Sequence, residues 1–243
     1  MAKPSEIKPY TDTDGKKEQV SKMFDTISKE YDFLNKLITF GLDKSWKRKL
    51  VQKVIDAKPN RVLDIATGTG DLVIAMAKSS ANELIGLDIS KGMLAVGEDK
   101  VRALNLQDRI TMQWGDVEQM PFEDNSFDVV VVSYGVRNFE DLELGLNEIF
   151  RCLKPGGQLM ILETSRPDFF PMRQLHSIYT RFFMPLIANI FSKDKSAYVY
   201  LAKSAANFPY GKAFNNILAK IRFNNVESKP QFFGVSTLYY ASK

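Results

Sequence analysis

The sequence predicts an α/β protein: a doubly wound, mostly parallel sheet of seven strands, with a helical cap before it and a helical insertion after its fifth strand. Three observations carry that expectation. Short apolar runs recur along the chain at residues 62–65, 83–88, 109–113, 129–132 and 158–163. Between them lie longer stretches with the apolar spacing of amphipathic helices, and a β–α alternation of this kind implies right-handed crossovers in one sheet. The run at 129–132 is four consecutive valines, the composition of a central strand buried on both faces.

Taken in order, residues 1–14 carry Pro4 and Pro9 among polar residues and read as a mobile arm ahead of a single domain over 15–243. A helix is predicted over 16–31, with Val20, Met23, Phe24 and Ile27 on one side. A second, over 44–57, sets Trp46, Leu50, Val54 and Ile55 against Lys47, Arg48, Lys49 and Lys53. Together they form a helical cap over 15–58, whose basic face is either a solvated surface or a contact with anionic membrane. The first strand and a turn of small residues follow at 61–72, then a helix over 71–78. Helices over 91–106 and 140–153 separate the later strands. The fifth strand is 158–163, after the turn Lys154-Pro-Gly-Gly157. Residues 168–205 break the pattern: they are rich in Phe, Met, Leu, Ile and Tyr without a tidy period, and read as a lid over an acceptor pocket or as added core. A helix at 211–221 and two strands at 223–228 and 234–241 close the sheet as an antiparallel pair.

Composition narrows the chemistry. At 243 residues with 44% apolar content the chain buries one sizeable core. One cysteine, Cys152, excludes an internal disulfide framework, and one histidine, His176, argues against a histidine-based metal site, so no metal is expected. A net charge of +4 does not call for nucleic acid. The polar start carries no secretory segment and no apolar run reaches spanning length, so the expected location is cytoplasmic, with a peripheral membrane contact left open.

The motif that organises the chain is Asp64-x-Ala66-x-Gly68-x-Gly70. Strand, glycine turn and helix admit the backbone close to the polar part of a nucleotide-like ligand. Val73 stands where a dinucleotide fingerprint needs its third glycine. The pattern instead resembles motif I of the S-adenosyl-L-methionine (SAM) methyltransferases, with alanine for the first glycine. Asp88 ends the second strand eighteen positions past Gly70, where a carboxylate can accept both hydroxyls of a ribose; alone it could be a charge at a helix start. Asp116, at the tip of the third strand, can accept an adenine amino group while the Val117 N–H donates to the ring, or it can be a turn aspartate. Met93 is placed to pack on the adenine. The fourth strand ends in Ser133-Tyr134-Gly135-Val136-Arg137-Asn138, at the edge where a methyl acceptor meets the cofactor. Arg137 and Asn138 are candidates to hold an ionised hydroxyl, and Tyr134 to contact a ring; Asn138 could instead cap the next helix.

The chain resembles the ubiquinone/menaquinone biosynthesis C-methyltransferases over nearly its whole length. The resemblance rests on Tyr31-Asp-Phe-Leu-Asn35 with Trp46 downstream, Ala66-Thr-Gly-Thr-Gly-Asp71, Ser133-x-Gly-x-Arg-Asn138, and Arg151-Cys-Leu-Lys-Pro-Gly-Gly157 followed by Glu163-Thr-Ser165. It departs from the usual pattern at Leu34, Thr39, Asp43, Cys152 and Asp116-Val117. It implies the Rossmann-like class I SAM-dependent fold, and SAM contacts at Thr69, Asp88, Asp116, Val117 and Ser133. It also implies a helical cover for a prenylated quinol, with demethylmenaquinol favoured over a ubiquinone precursor. A different methyl acceptor on the same sheet, or a non-catalytic SAM sensor, remain as rival readings. An isologous dimer through 168–205 and transient contact with the membrane surface are further expectations.

Overall fold

The computed structural model describes residues 6–11, 13–184, 186–187 and 194–243. The arm expected at 1–14 and the insertion expected at 168–205 therefore lie partly outside the described residues. Seven strands form one sheet in the order β3-β2-β1-β4-β5-β7-β6. They are β1 (Arg61–Ile65), β2 (Glu83–Asp88), β3 (Ile110–Trp114), β4 (Phe127–Ser133), β5 (Leu153–Thr164), β6 (Asn224–Gln231) and β7 (Ser236–Ser242). β7 pairs antiparallel with both β5 and β6, while the other pairings are parallel. The chain reverses direction in sheet order between β1 and β4, and ligands of open α/β sheets bind at such a switch point, beyond the carboxyl ends of the strands.

Alternation along β1 and β4 divides the interior in two. Leu63, Ile65, Val130 and Val132 face α6 (Leu142–Cys152) and α9 (Lys212–Lys220), meeting Leu146, Ile149, Phe214 and Leu218. Val62, Val129 and Val131 face α3 (Asp43–Ala57), α4 (Asp71–Met76) and α5 (Lys91–Ala103), meeting Leu50, Val54, Val73 and Val101. A third, smaller core lies off the sheet. In it Val20, Met23 and Ile27 of α1 (Lys16–Ile27) and Leu34 of α2 (Tyr31–Ile38) pack on Tyr198, Tyr200 and Leu201 of α8 (Lys195–Asn207). Cap and insertion thus share one core and form a single cover.

Several predicted boundaries move. The first cap helix ends at Ile27, and α2 is a separate helix absent from the prediction. It is only two turns long and rich in Tyr, Phe and Asn, residues with weak helical preference. α4 stops at Met76 and α5 at Ala103, while β5 begins at Leu153, five residues before the predicted start. The irregular insertion has a physical cause: α7 (Met172–Ile178) runs into a π turn over Tyr179–Phe183, which shifts the apolar spacing out of helical phase.

Candidate active site

The turn after β1 places Ala66, Gly68 and Gly70 at positive φ (52°, 57° and 78°). That alternation is why small residues occur at every second position; a larger side chain would be strained there, and even alanine pays part of that cost. No atom lies within 4 Å of where a Gly68 side chain would begin, so this part of the turn borders open space. Gly70 instead packs over Gly97 and Met112. The turn is pinned from below, where Thr67 donates to Asp64 (2.7 Å) and the Gly68 N–H donates to Asp88 (2.7 Å). The second oxygen of Asp88 accepts from the Ser90 N–H (2.8 Å). Ser90, not Asp88, caps α5 through its hydroxyl.

Burial raises both acids, Asp64 to about 7 and Asp88 to about 6. One Asp64 oxygen has no hydrogen-bond partner among the described residues. Asp88, with one main-chain donor on each oxygen, keeps lone pairs for two further donors.

A cavity of about 90 Å³ sits above this edge, between Asp88, Met93, Asp116, Val117 and Ser133 on the sheet side and Lys17, Val20 and Phe24 of α1. Asp116 takes the turn geometry, one oxygen accepting from the Glu118 N–H (2.9 Å), while its other oxygen is ion-paired with Lys17 (2.5 Å). Lys17 also meets Glu118 (2.9 Å). Burial opposes the Lys17 charge, yet its bonds to Asp116 and Glu118 hold it above the usual lysine range. Thr69 is turned toward the cap, donating to Asp32 (2.6 Å), which is also ion-paired with Lys100 (2.6 Å). Asp25 of α1 accepts from Ser90 and from the Gly92 N–H (both 2.7 Å). Lys17 and Asp25 carry no sequence signature, and Asp32 stands in a quoted motif without a role; their partners are assigned only by the way the cap lies on the sheet.

On the other side of the β4 tip opens a cleft of about 2380 Å³, bounded by α2, α3, α7, α8 and the end of β5. Tyr31, Ala66, Gly68, Ser133 and Tyr134 line both the cleft and the smaller cavity. The two spaces therefore meet at the glycine turn and the β4 tip. The buried Ser133 hydroxyl finds no partner there among the described residues. Tyr134 has φ 58° and its hydroxyl meets Ser236 (3.2 Å); burial keeps it a neutral phenol.

Arg137 is 9% exposed, and its Nη1 donates to Glu163 and to the Tyr134 carbonyl (both 2.7 Å), while Nε has no partner among the described residues. Burial works against its charge, and the fully buried Glu163 restores it, so the guanidinium stays protonated. Glu163 stands in the motif Glu163-Thr-Ser165, whose spacing alone does not mark it as the partner of Arg137. Asn138 does not cap α6; Asp141 does, accepting from the Leu144 N–H (3.0 Å). Asn138 instead accepts from Tyr200 of α8 (3.2 Å), tying the acceptor loop to the cover. Cys152 is fully buried. Among the described residues no cluster of side chains could hold a metal ion.

The residues at this edge suit SAM. An open cradle beside Gly68, an acid with spare lone pairs and a buried hydroxyl lacking a partner together offer what its polar groups need. Sheet order and site together define a SAM-dependent methyltransferase. A SAM-dependent methyltransferase from Aquifex aeolicus shares the fold with TM-score 0.56 at 16% identity, over 81% of this chain and 88% of that one. The sequence profile of the ubiE/COQ5 methyltransferase family matches residues 12–243, and the chain belongs to that family. It is 42% identical to a demethylmenaquinone methyltransferase of Bacteroides fragilis, over 98% of this chain and 97% of the relative. It is 41% identical to a ubiquinone/menaquinone biosynthesis C-methyltransferase of Geotalea daltonii, over 94% and 97% respectively.

Proposed function

We propose that this enzyme transfers the methyl group of SAM to a ring carbon of demethylmenaquinol, giving menaquinol. The observation that supports this reading most is the junction of a small polar cavity with a much larger cleft at Ser133 and Tyr134. One space suits an adenosyl group, the other a ring system with an isoprenoid tail. When bound, SAM supplies an electrophilic methyl group, so the protein's part is to bind, orient and exclude water.

In this reading Asp88 accepts the ribose hydroxyls, and Asp116 with the Val117 N–H holds the adenine against Met93. The main chain at Asp64, Ala66, Gly68, Thr69 and Gly70 shapes the wall beside the methionine portion, with Ser133 donating to it. On the acceptor side, a quinone carbon is not nucleophilic, whereas a quinol carbon next to an ionised hydroxyl is. Arg137 stays charged, so it stabilises that oxygen as an anion and does not serve as the base. Asn138 orients the same oxygen, and Tyr134 lies along the ring. Alignment of two reactants in such a site is worth on the order of 7–11 kcal/mol.

The test is a transfer assay with labelled SAM and a short-chain demethylmenaquinone, with and without dithionite. Label in the extracted quinone only under reduction is the expected result. Absence of transfer despite SAM binding overturns the assignment. A ubiquinone-precursor quinol is then the next acceptor to assay, since the name of the Geotalea relative covers both branches.

A further inference from the structure

Around the mouth of the cleft the molecule exposes large apolar side chains from three separate segments. Phe40 follows α2, Phe170 precedes α7, Phe182 and Phe183 sit on the π turn, and Phe233 lies in the turn before β7; their exposures run from 53% to 79%. Two groups of them are held by ring contacts: Phe40 meets Tyr179, which stacks on Phe183, and Phe233 meets Phe169 across the gap between the β6–β7 turn and the approach to α7, with Phe170 and Phe182 beside these groups in sequence. Large apolar side chains exposed in such number on neighbouring segments mark an interaction site.

Its charge says what it meets. Lys36, Lys44, Arg48, Arg173 and Arg181 are exposed on the cleft wall, and none is in an ion pair among the described residues. Ten lysines and arginines line the cleft against five aspartates, of which Asp32, Asp43 and Asp71 already face lysines. Aromatic side chains interleaved with unpaired cations match the apolar and anionic layers of a lipid surface. No helix among the described residues is long and apolar enough to cross a membrane.

We infer that the aromatic rim around Phe40, Phe170, Phe182 and Phe233 seats on an anionic bilayer, so that the cleft opens directly into lipid. This rests on reading the acceptor as a prenylated quinol, whose tail then never crosses water. Neither signal suffices alone, and together they give reversible attachment that weakens as salt screens the cations.

The experiment uses the full chain with vesicles of phosphatidylcholine, alone or enriched in phosphatidylglycerol. Flotation with the anionic vesicles at low salt, and loss of it at high salt, is expected. Phe170→Ser with Phe182→Ser should cut the bound fraction about tenfold. The same variant should methylate a short-chain, water-soluble quinol at the wild-type rate and a long-chain quinol embedded in vesicles about tenfold more slowly.

Phe170→Trp and Phe182→Trp, read with brominated lipids, provide a second measurement that needs no loss of binding. Their fluorescence should be quenched while that of Trp114, exposed on the edge strand β3, is not. Absent flotation, unquenched tryptophans, or equal loss on both quinols overturns the inference. A fall in oligomer size in place of a lipid effect also overturns it, in favour of self-association. No methylation of any quinol by the wild type overturns instead the substrate reading on which the inference stands.

Discussion

The wall of the small cavity and the wall of the large cleft are built by different means. The first is local: a few consecutive residues after β1 fix the backbone at positive φ, and Asp64 and Asp88 hold it by bonds of 2.7 Å. The second is assembled from two pairs of helices, α2 with α3 and α7 with α8, which lie more than a hundred positions apart in the chain. The first wall is thus shaped by main chain, with its two acids as the side chains that matter. The second is a surface that substitution can reshape without touching the sheet.

The largest effect should come where the two walls touch. Glu163 lies fully buried on β5, and its pair with Arg137 holds the acceptor loop onto the sheet. Glu163→Ala leaves a buried cation without its counter-charge and should cost about 3–5 kcal/mol of stability, read by urea denaturation. A loss below 1 kcal/mol would mean that water or rearrangement replaces the pair and that the walls are independent. Next comes the core of the cover itself. Met23→Ala, at a fully buried position, should cost about 2–5 kcal/mol. Hydrogen exchange should place that loss in α1 and α8 and leave β1 and β4 protected; uniform loss across the sheet would dissolve the distinction between the walls.

The smallest and most selective effect concerns Asp88. Its carboxyl titrates near 6 because it is buried, so the free fold favours the protonated acid. Its contribution to stability is therefore present in acid and lost as pH rises through about 6, with Asp64 following near 7. SAM affinity should run the opposite way, since the ribose hydroxyls bond to the carboxylate, and should weaken as pH falls through about 6. Asp88→Asn should lower affinity about tenfold and flatten that dependence, with the quinol KM unchanged; calorimetric titration across this range checks both.

What could be read in the sequence follows the same division. The glycine turn, the acids at the tips of β2 and β3 and the valines of β4 are contiguous patterns with a local physical cause, and the expectation of a doubly wound, mostly parallel sheet grew from them. Lys17, Asp32 and the bond between Tyr200 and Asn138 join positions between 37 and 99 residues apart, and nothing at either end announces the other. α2 escaped because two turns of Tyr, Phe, Leu and Asn have no helical signature strong enough without α8 to pack on. Arg137 was found as a candidate, but not its counter-ion; an arginine on a buried loop implies one, and the only fully buried acid of β5 was there to supply it.

The bonds from Lys17, Asp25 and Asp32 to the sheet edge bear on motion as well as on shape. They lay α1 and α2 along one side of the smaller cavity, whereas the larger cleft opens between α2, α3, α7 and α8. Because the two spaces share Tyr31, Ala66, Gly68, Ser133 and Tyr134, a shift of the cap against the sheet is felt in both at once.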